Sequence, residues 1–254
     1  MPDDAGSKLP KIAAAFWVMK ISATTLGETA GDLLSMTMNV GYATSSLVLL
    51  SGFLISLVAQ LLSKRYHPGL YWTVILSTST AGTTMSDYMD RTLGLGYTKG
   101  AGLLITILLC IFAAWRLTTG SLAVDNVKTR TAELFYWIAI LFSNTLGTAL
   151  GDFLADSSGL GFVGGALLIG SLLLLVLLAY FLTRLSRVLL FWIAFILTRP
   201  LGATVGDVLT KSKDKGGLNF GTVGSSAILA GILAAFVAWS MIKSTRARLD
   251  TIEN

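Results

Sequence analysis

Long apolar runs alternate with short polar or glycine-rich connections along the whole chain. The runs 42–63, 163–182 and 222–242 each hold about the 20 residues needed to cross a hydrocarbon core. Between them lie runs of similar length that carry a polar stripe, for example 70–91. Within lipid a backbone has to satisfy its own polar groups, so runs this long and apolar are predicted to be helices. The turns between paired helices are short and glycine-rich, as in Gly94-Leu95-Gly96.

A repeat organises these runs. An aromatic–Trp pair recurs as Phe16-Trp17, Tyr71-Trp72, Tyr136-Trp137 and Phe191-Trp192. Ten residues after each Trp stands Gly27, Gly82, Gly147 or Gly202. Fifteen after it stands Asp32, Asp87, Asp152 or Asp207. An aromatic follows at offset 25 in the first three copies (Tyr42, Tyr97, Phe162), and the fourth, three residues longer, reaches Phe220. The Trp spacings are 55, 65 and 55, so copies one and three, and two and four, lie 120 apart. A duplicated four-helix half explains that spacing.

Each copy reads as a polar-striped helix A followed by a more uniformly apolar helix B. The predicted fold is all-α: about eight transmembrane helices in four parallel two-helix repeats, forming a pseudo-symmetric bundle. The repeats span about 11–64, 65–119, 131–185 and 186–243 of a single membrane domain, 1–254. A polar connection, 118–133, joins the halves as a cytoplasmic linker or as a docking segment for another protein.

The stripe is read by counting from each Trp. Offset eight gives Thr25, Thr80, Thr145 and Pro200, offset eleven gives Glu28, Thr83, Thr148 and Ala203, and offset fifteen gives the aspartates. Offsets three and four apart share a helix face. Ionisable groups in a membrane helix face a bundle interior or a wet cavity. Helix A is therefore expected inside and helix B outside, with Asp32, Asp87, Asp152 and Asp207 converging on one polar cavity about 22 Å along the helix from the Trp. Glu28 and Asp90 are expected close by, and Asp156 is a further acid of the third copy. A structural alternative is that these carboxylates only cap or brace neighbouring helices.

Composition changes the picture in three ways. Hydrophobic residues make up 54% and charged residues 13%, about half the charge of a soluble domain, so lipid is the expected solvent. One cysteine, Cys110, and one histidine, His67, leave no soft-metal site and no disulfide framework. The net charge of +5 sits mainly in connections between apolar runs, which favours membrane orientation over nucleic-acid binding. The acidic start Asp3-Asp4 argues against a secretory signal.

Connections on the Trp side and the termini hold Lys8, Lys11, Lys64, Arg65, Arg116, Lys128, Arg130, Arg184, Arg187, Lys243, Arg246 and Arg248. Those on the Asp side hold Arg91, Lys99, Lys211, Lys213 and Lys215. Twelve against five predicts cytoplasmic N- and C-termini.

Three further features have two readings each. The glycines serve close helix packing, as small-xxx-small pairs do, or helix unwinding at a binding site. Lys20 and Arg199 snorkel to the surface, or one of them pairs with an acid such as Glu28 as a gate. Trp17, Trp72, Trp137 and Trp192 are interface anchors or stack on a substrate.

The four Trp-started units and their Gly-x-x-x-[Gly/Ser]-Asp segments resemble a family of bacterial inner-membrane proteins built from four tandem repeats of unknown function, each with two transmembrane segments and a conserved tryptophan. The resemblance runs from about residue 11 to 243. It implies a multi-pass protein of the bacterial inner membrane and supplies no activity.

Function therefore rests on the residues. Carboxylates and hydroxyls are hard oxygen ligands that suit magnesium, calcium, manganese, sodium or protons. The expectation is a transporter or channel for a small cation, narrowed to a divalent metal such as manganese or magnesium. A divalent cation is the bound group expected, with the four aspartates as its ligands, and the lipid bilayer is the partner. A membrane accessory or sensory subunit is the alternative. An intramembrane aspartyl protease is less well matched. Its Gly-x-Gly-Asp motif would need glycine where Thr29, Thr84, Ala149 and Thr204 stand, so no enzyme is expected.

Overall fold

The structure is a computed structural model that describes residues 9–10 and 12–252, with side chains up to residue 245. Lys8 and Lys11, the start of the first repeat at 11, and the side chains of Arg246 and Arg248 lie outside the described residues. No strand occurs among the described residues. Among them eight α-helices follow one another: α1 Ala14–Asp32, α2 Tyr42–Leu62, α3 Pro68–Asp87, α4 Tyr97–Thr119, α5 Arg130–Asp152, α6 Gly161–Leu182, α7 Arg187–Thr210 and α8 Gly221–Ile252. The odd-numbered helices are the A helices and the even-numbered ones the B helices.

Local chemistry sets the helix ends. Pro68 starts α3, where a missing N–H costs nothing. The hydroxyl of Thr129 caps α5 by accepting from the Ala132 amide at 3.2 Å. Gly41 and Gly96 precede α2 and α4 with φ of 82° and 70°, a conformation that a Cβ disfavours. Past the repeat aspartate, the first three A helices widen into π turns, Leu33–Thr37, Tyr88–Thr92 and Phe153–Ser157. The fourth has none, and α7 ends at Thr210 ahead of the longer 211–220 connection.

The four A helices form a closed ring: α1 packs on α3, α3 on α5, α5 on α7 and α7 on α1. Each B helix packs outside on the A helix of the next repeat, α2 on α3, α4 on α5, α6 on α7 and α8 on α1. The chain thus interlocks its repeats instead of stacking them as separate hairpins.

Burial follows this plan. The apolar window of α5 is 67% buried, that of α6 only 17%. Leu47, Ile55, Leu109, Leu167, Phe181 and Ile228 point outward from the B helices, as a lipid-facing layer should. Among the described residues six helices are long and apolar enough to cross a membrane, namely α2 and α4 to α8. Helices α1 and α3 are of similar length but carry more polar residues, and these face the ring. The assembly is a helical membrane bundle with A helices inside and B helices outside, as the stripe predicts.

Close approach of the A helices depends on the repeat glycines. A Cβ at Gly82 would fall 2.9 Å from the Thr145 amide nitrogen, and one at Gly27, Gly147 or Gly202 would collide with Ser79, Arg199 or Thr24. The packing reading accounts for these glycines. Helices α1, α3, α5 and α7 stay helical through Gly27, Gly82, Gly147 and Gly202, so unwinding does not apply.

The connection 118–133 lies against the Trp end of the ring. It contains a short 3₁₀ turn, Val124–Asn126, and the Leu122 carbonyl accepts from the Trp192 indole at 3.0 Å.

Candidate functional site

The ring interior is built in layers, one residue from each A helix, at steps of four along the chain. A four-residue step keeps side chains on one face that winds slowly round the helix. Counted from each Trp, offset three gives Lys20, Ile75, Ile140 and Phe195, and offset seven gives Thr24, Ser79, Asn144 and Arg199. All eight are completely buried. The next layer holds Glu28, Thr83, Thr148 and Ala203, and the one after it Asp32, Asp87, Asp152 and Asp207, again buried.

The Trp end is closed by aromatic rings in cyclic order. The aromatic of each repeat meets the Trp of the next: Phe16 with Trp72 at 5.7 Å, Tyr71 with Trp137 at 5.5 Å, Tyr136 with Trp192 at 6.1 Å and Phe191 with Trp17 at 5.8 Å. The Tyr71 and Tyr136 hydroxyls share a 2.7 Å hydrogen bond. An interface anchor presents its ring to headgroups, yet Trp72, Trp137 and Trp192 are buried and only Trp17 is partly exposed. The anchor expectation gives way to an inter-repeat girdle for those three.

Above the girdle sits Lys20. Its ammonium donates to Asn144 Oδ1 at 3.3 Å and lies 4.1 Å from the Phe195 ring centroid. Asn144 in turn donates to Thr78 Oγ1 at 2.9 Å. Lys20 therefore meets an amide and an aromatic face, not Glu28, and it does not snorkel.

Arg199 takes the pairing role. Its Nη2 lies 2.9 Å from Glu28 Oε2, 2.6 Å from Thr83 Oγ1 and 2.7 Å from Thr148 Oγ1. Thr83 also reaches Glu28 Oε2 at 3.3 Å. This binds α1, α3, α5 and α7 at a single point. Nε and Nη1 of Arg199 are buried without a hydrogen-bond partner, so the layer is more polar than its own contacts satisfy.

At the far end the four aspartates resolve into two bridged pairs. Arg91 Nε lies 2.9 Å from Asp87 Oδ1, and its Nη2 lies 3.0 Å from Asp152 Oδ2. Lys211 Nζ lies 2.9 Å from Asp32 Oδ2 and 3.1 Å from Asp207 Oδ1. Each base joins the acid one turn before it to that of the neighbouring repeat. Glu28, Asp32 and Asp207 can also place one carboxylate oxygen each within 4.8 Å of one another.

Other expected site residues lie elsewhere. Asp90 accepts from Ser86 and its carboxylate sits against Gly100 of α4, away from the central acids. Its offset of eighteen turns it toward the outer layer. Asp156 is exposed and accepts from Tyr97 at 3.1 Å. Thr25, Thr80 and Thr145 donate back to Ile21, Leu76 and Leu141 of their own helices. Offset eight thus braces the helix, and offsets seven and eleven line the axis.

Sequence reasoning missed Arg91 and Lys211 by treating them as orientation charges. Both stand at offset nineteen, four residues after a repeat aspartate and 120 apart. An i, i+4 acid–base pair repeated at the duplication interval was the signal available. The column Thr24, Ser79, Asn144 and Arg199 was visible by the same counting.

The family described as Repeat of Unknown Function (DUF347) matches the chain four times, over residues 15–66, 70–121, 135–186 and 190–245. No curated protein and no solved structure matches it.

Proposed function

The chain belongs to that repeat family, a multi-pass helical membrane protein matched across 15–245, and from this premise we propose an integral membrane transporter or channel for a small cation. One observation carries the reading: five carboxylates, Glu28, Asp32, Asp87, Asp152 and Asp207, are contributed by four helices to the axis of one closed ring. Ionisable groups are costly in a membrane and mark ion pathways when they are gathered in a bundle interior. The hydroxyls of Thr83 and Thr148 extend the polar lining one layer inward.

The narrower assignment is a divalent metal such as manganese or magnesium. Glu28, Asp32 and Asp207 offer three hard oxygens within reach of one ion, the donor type those metals prefer. The aspartates act in this reading as ligands, with no catalytic role. The protein resides in the bacterial inner membrane with both termini cytoplasmic, which places the aspartate layer toward the outer face. The support is the excess of basic residues on the Trp side. It grows once Arg91 and Lys211 are set aside as site residues, leaving Lys99, Lys213 and Lys215 on the other side.

The test is flux into liposomes carrying the purified protein. Manganese, magnesium, calcium, sodium and proton movement are each compared with protein-free liposomes. At least one should move faster with protein. If none does, the transport reading is wrong.

A further inference from the structure

The two bases at the aspartate layer are equivalent by descent but not by geometry. Arg91 uses Nε for Asp87 and Nη2 for Asp152, and Nη1 donates to the Tyr42 hydroxyl at 3.4 Å. A guanidinium held through three nitrogens is fixed in orientation. Lys211 has one ammonium for both of its acids. It hydrogen-bonds Asp32 at 2.9 Å and lies 3.1 Å from Asp207 Oδ1, and in both halves the Oδ1 of the acid four residues before the base, Asp87 or Asp207, accepts no hydrogen bond. The third carboxylate of the cluster, Glu28, comes within ligand reach of Asp32 and Asp207, while its Oε2 is paired with Arg199.

The backbone differs in the same sense. Arg91 lies inside the π turn that continues α3. Lys211 stands just past the end of α7, with extended backbone at ψ 156°, at the start of the longer connection. Both bases reach the aspartate-side surface, with side-chain exposures of 23% for Lys211 and 32% for Arg91.

From these differences we propose that Lys211 is a tethered internal cation that bridges Asp32 and Asp207 beside Glu28 and is replaced there by the substrate cation, while Arg91 stays on the Asp87–Asp152 half. This rests on the cation reading above and adds to it one exchangeable site per chain. The ammonium withdraws as the metal arrives, so the carboxylates are never left without a positive partner. A buried acid pair stripped of its base would be strongly unfavourable. The tether also sets selectivity, since an arriving ion has to outcompete an ammonium held at an effective concentration of order millimolar. Divalent ions gain most from three carboxylates and displace it most readily.

The experiment uses the full-length protein in detergent at pH 8, titrated with manganese and separately with magnesium. Lys211→Gln removes the competitor and should bind at least about tenfold more tightly than the parent protein, and Arg91→Gln should not reproduce that gain. A second measurement needs no variant: acylation of Lys211 by an amine-reactive reagent, followed by mass spectrometry, should rise when manganese saturates the protein. If the parent binds either metal while K211Q binds no more tightly and Lys211 labelling stays constant, tethered competition is overturned and the cation reading survives. If parent and K211Q both bind neither metal, the divalent reading falls and this proposal with it. Should K211Q fail to fold, the labelling result decides.

Discussion

Arg199 of α7 and Glu28 of α1 meet at 2.9 Å in a ring interior where neither side chain is more than 4% exposed. Removing one partner of such a pair leaves an uncompensated buried charge, which costs about 3–5 kcal/mol, whereas replacing both by apolar groups is far milder. Glu28→Ala is expected to lower unfolding stability by about that amount. The pair Glu28→Met with Arg199→Met should recover most of the loss. Thermal or denaturant unfolding in detergent checks this, and a double variant as damaged as the sum of the two singles would refute the ion-pair account.

The aromatic girdle makes a graded prediction. Trp137 is completely buried between Tyr71 and Tyr136, and Trp17 is partly exposed. Trp137→Ala should cost about 3–5 kcal/mol, and Trp17→Ala distinctly less. Equal, small effects at both sites would indicate interface anchors rather than an inter-repeat seal. Unfolding midpoints of the two variants decide.

Glycine size is a separate check on ring closure. Gly82→Val has to push α5 away from α3, since even a Cβ meets backbone there, while Gly52 on α2 has no atom within 4 Å of that position. Gly82→Val should lose its monodisperse peak in size-exclusion chromatography, and Gly52→Val should keep it. A monodisperse Gly82→Val would contradict the close A–A packing.

Much of this architecture was legible because four copies repeat the same offsets. The Trp, Gly and Asp columns, the inner A helices and the outer B helices follow from counting along the chain. What the counting missed lies in contacts between repeats. Nothing in the Phe16-Trp17 pair says that Phe16 will meet Trp72 while Trp17 meets Phe191. Arg91 and Lys211 sit after the last apolar residues, where a charge ordinarily reports orientation. Only the turn at the helix end brings them back over the acids. Asp90 was misplaced for a related reason: offset eighteen is close to fifteen along the stripe, but the wider π turn rotates it toward α4.

Topology follows from helix order. The connections at 38–41, 93–96, 158–160 and 211–220 share the aspartate side, and those at 63–67, 120–129 and 183–186 share the Trp side. A reporter after Asn254 and one inserted at Lys213 should give opposite sides, with Asn254 cytoplasmic. The same side for both would break the eight-helix arrangement.

The central claim is that the repeat aspartates hold a cation in transit. Asp32→Asn, Asp87→Asn, Asp152→Asn and Asp207→Asn keep side-chain volume and one acceptor oxygen while removing the charge. Each is to be shown inserted and monodisperse, then measured for manganese and magnesium binding and flux across a pH series. Carboxylates release protons to take up a metal, so binding by the parent should weaken as pH falls. Asp32→Asn and Asp207→Asn should lose about tenfold or more in binding and flux, which corresponds to about 1.4 kcal/mol, with the Asp87 and Asp152 variants affected less. If all four match the parent in both assays, the carboxylates only brace the ring and the transport account fails.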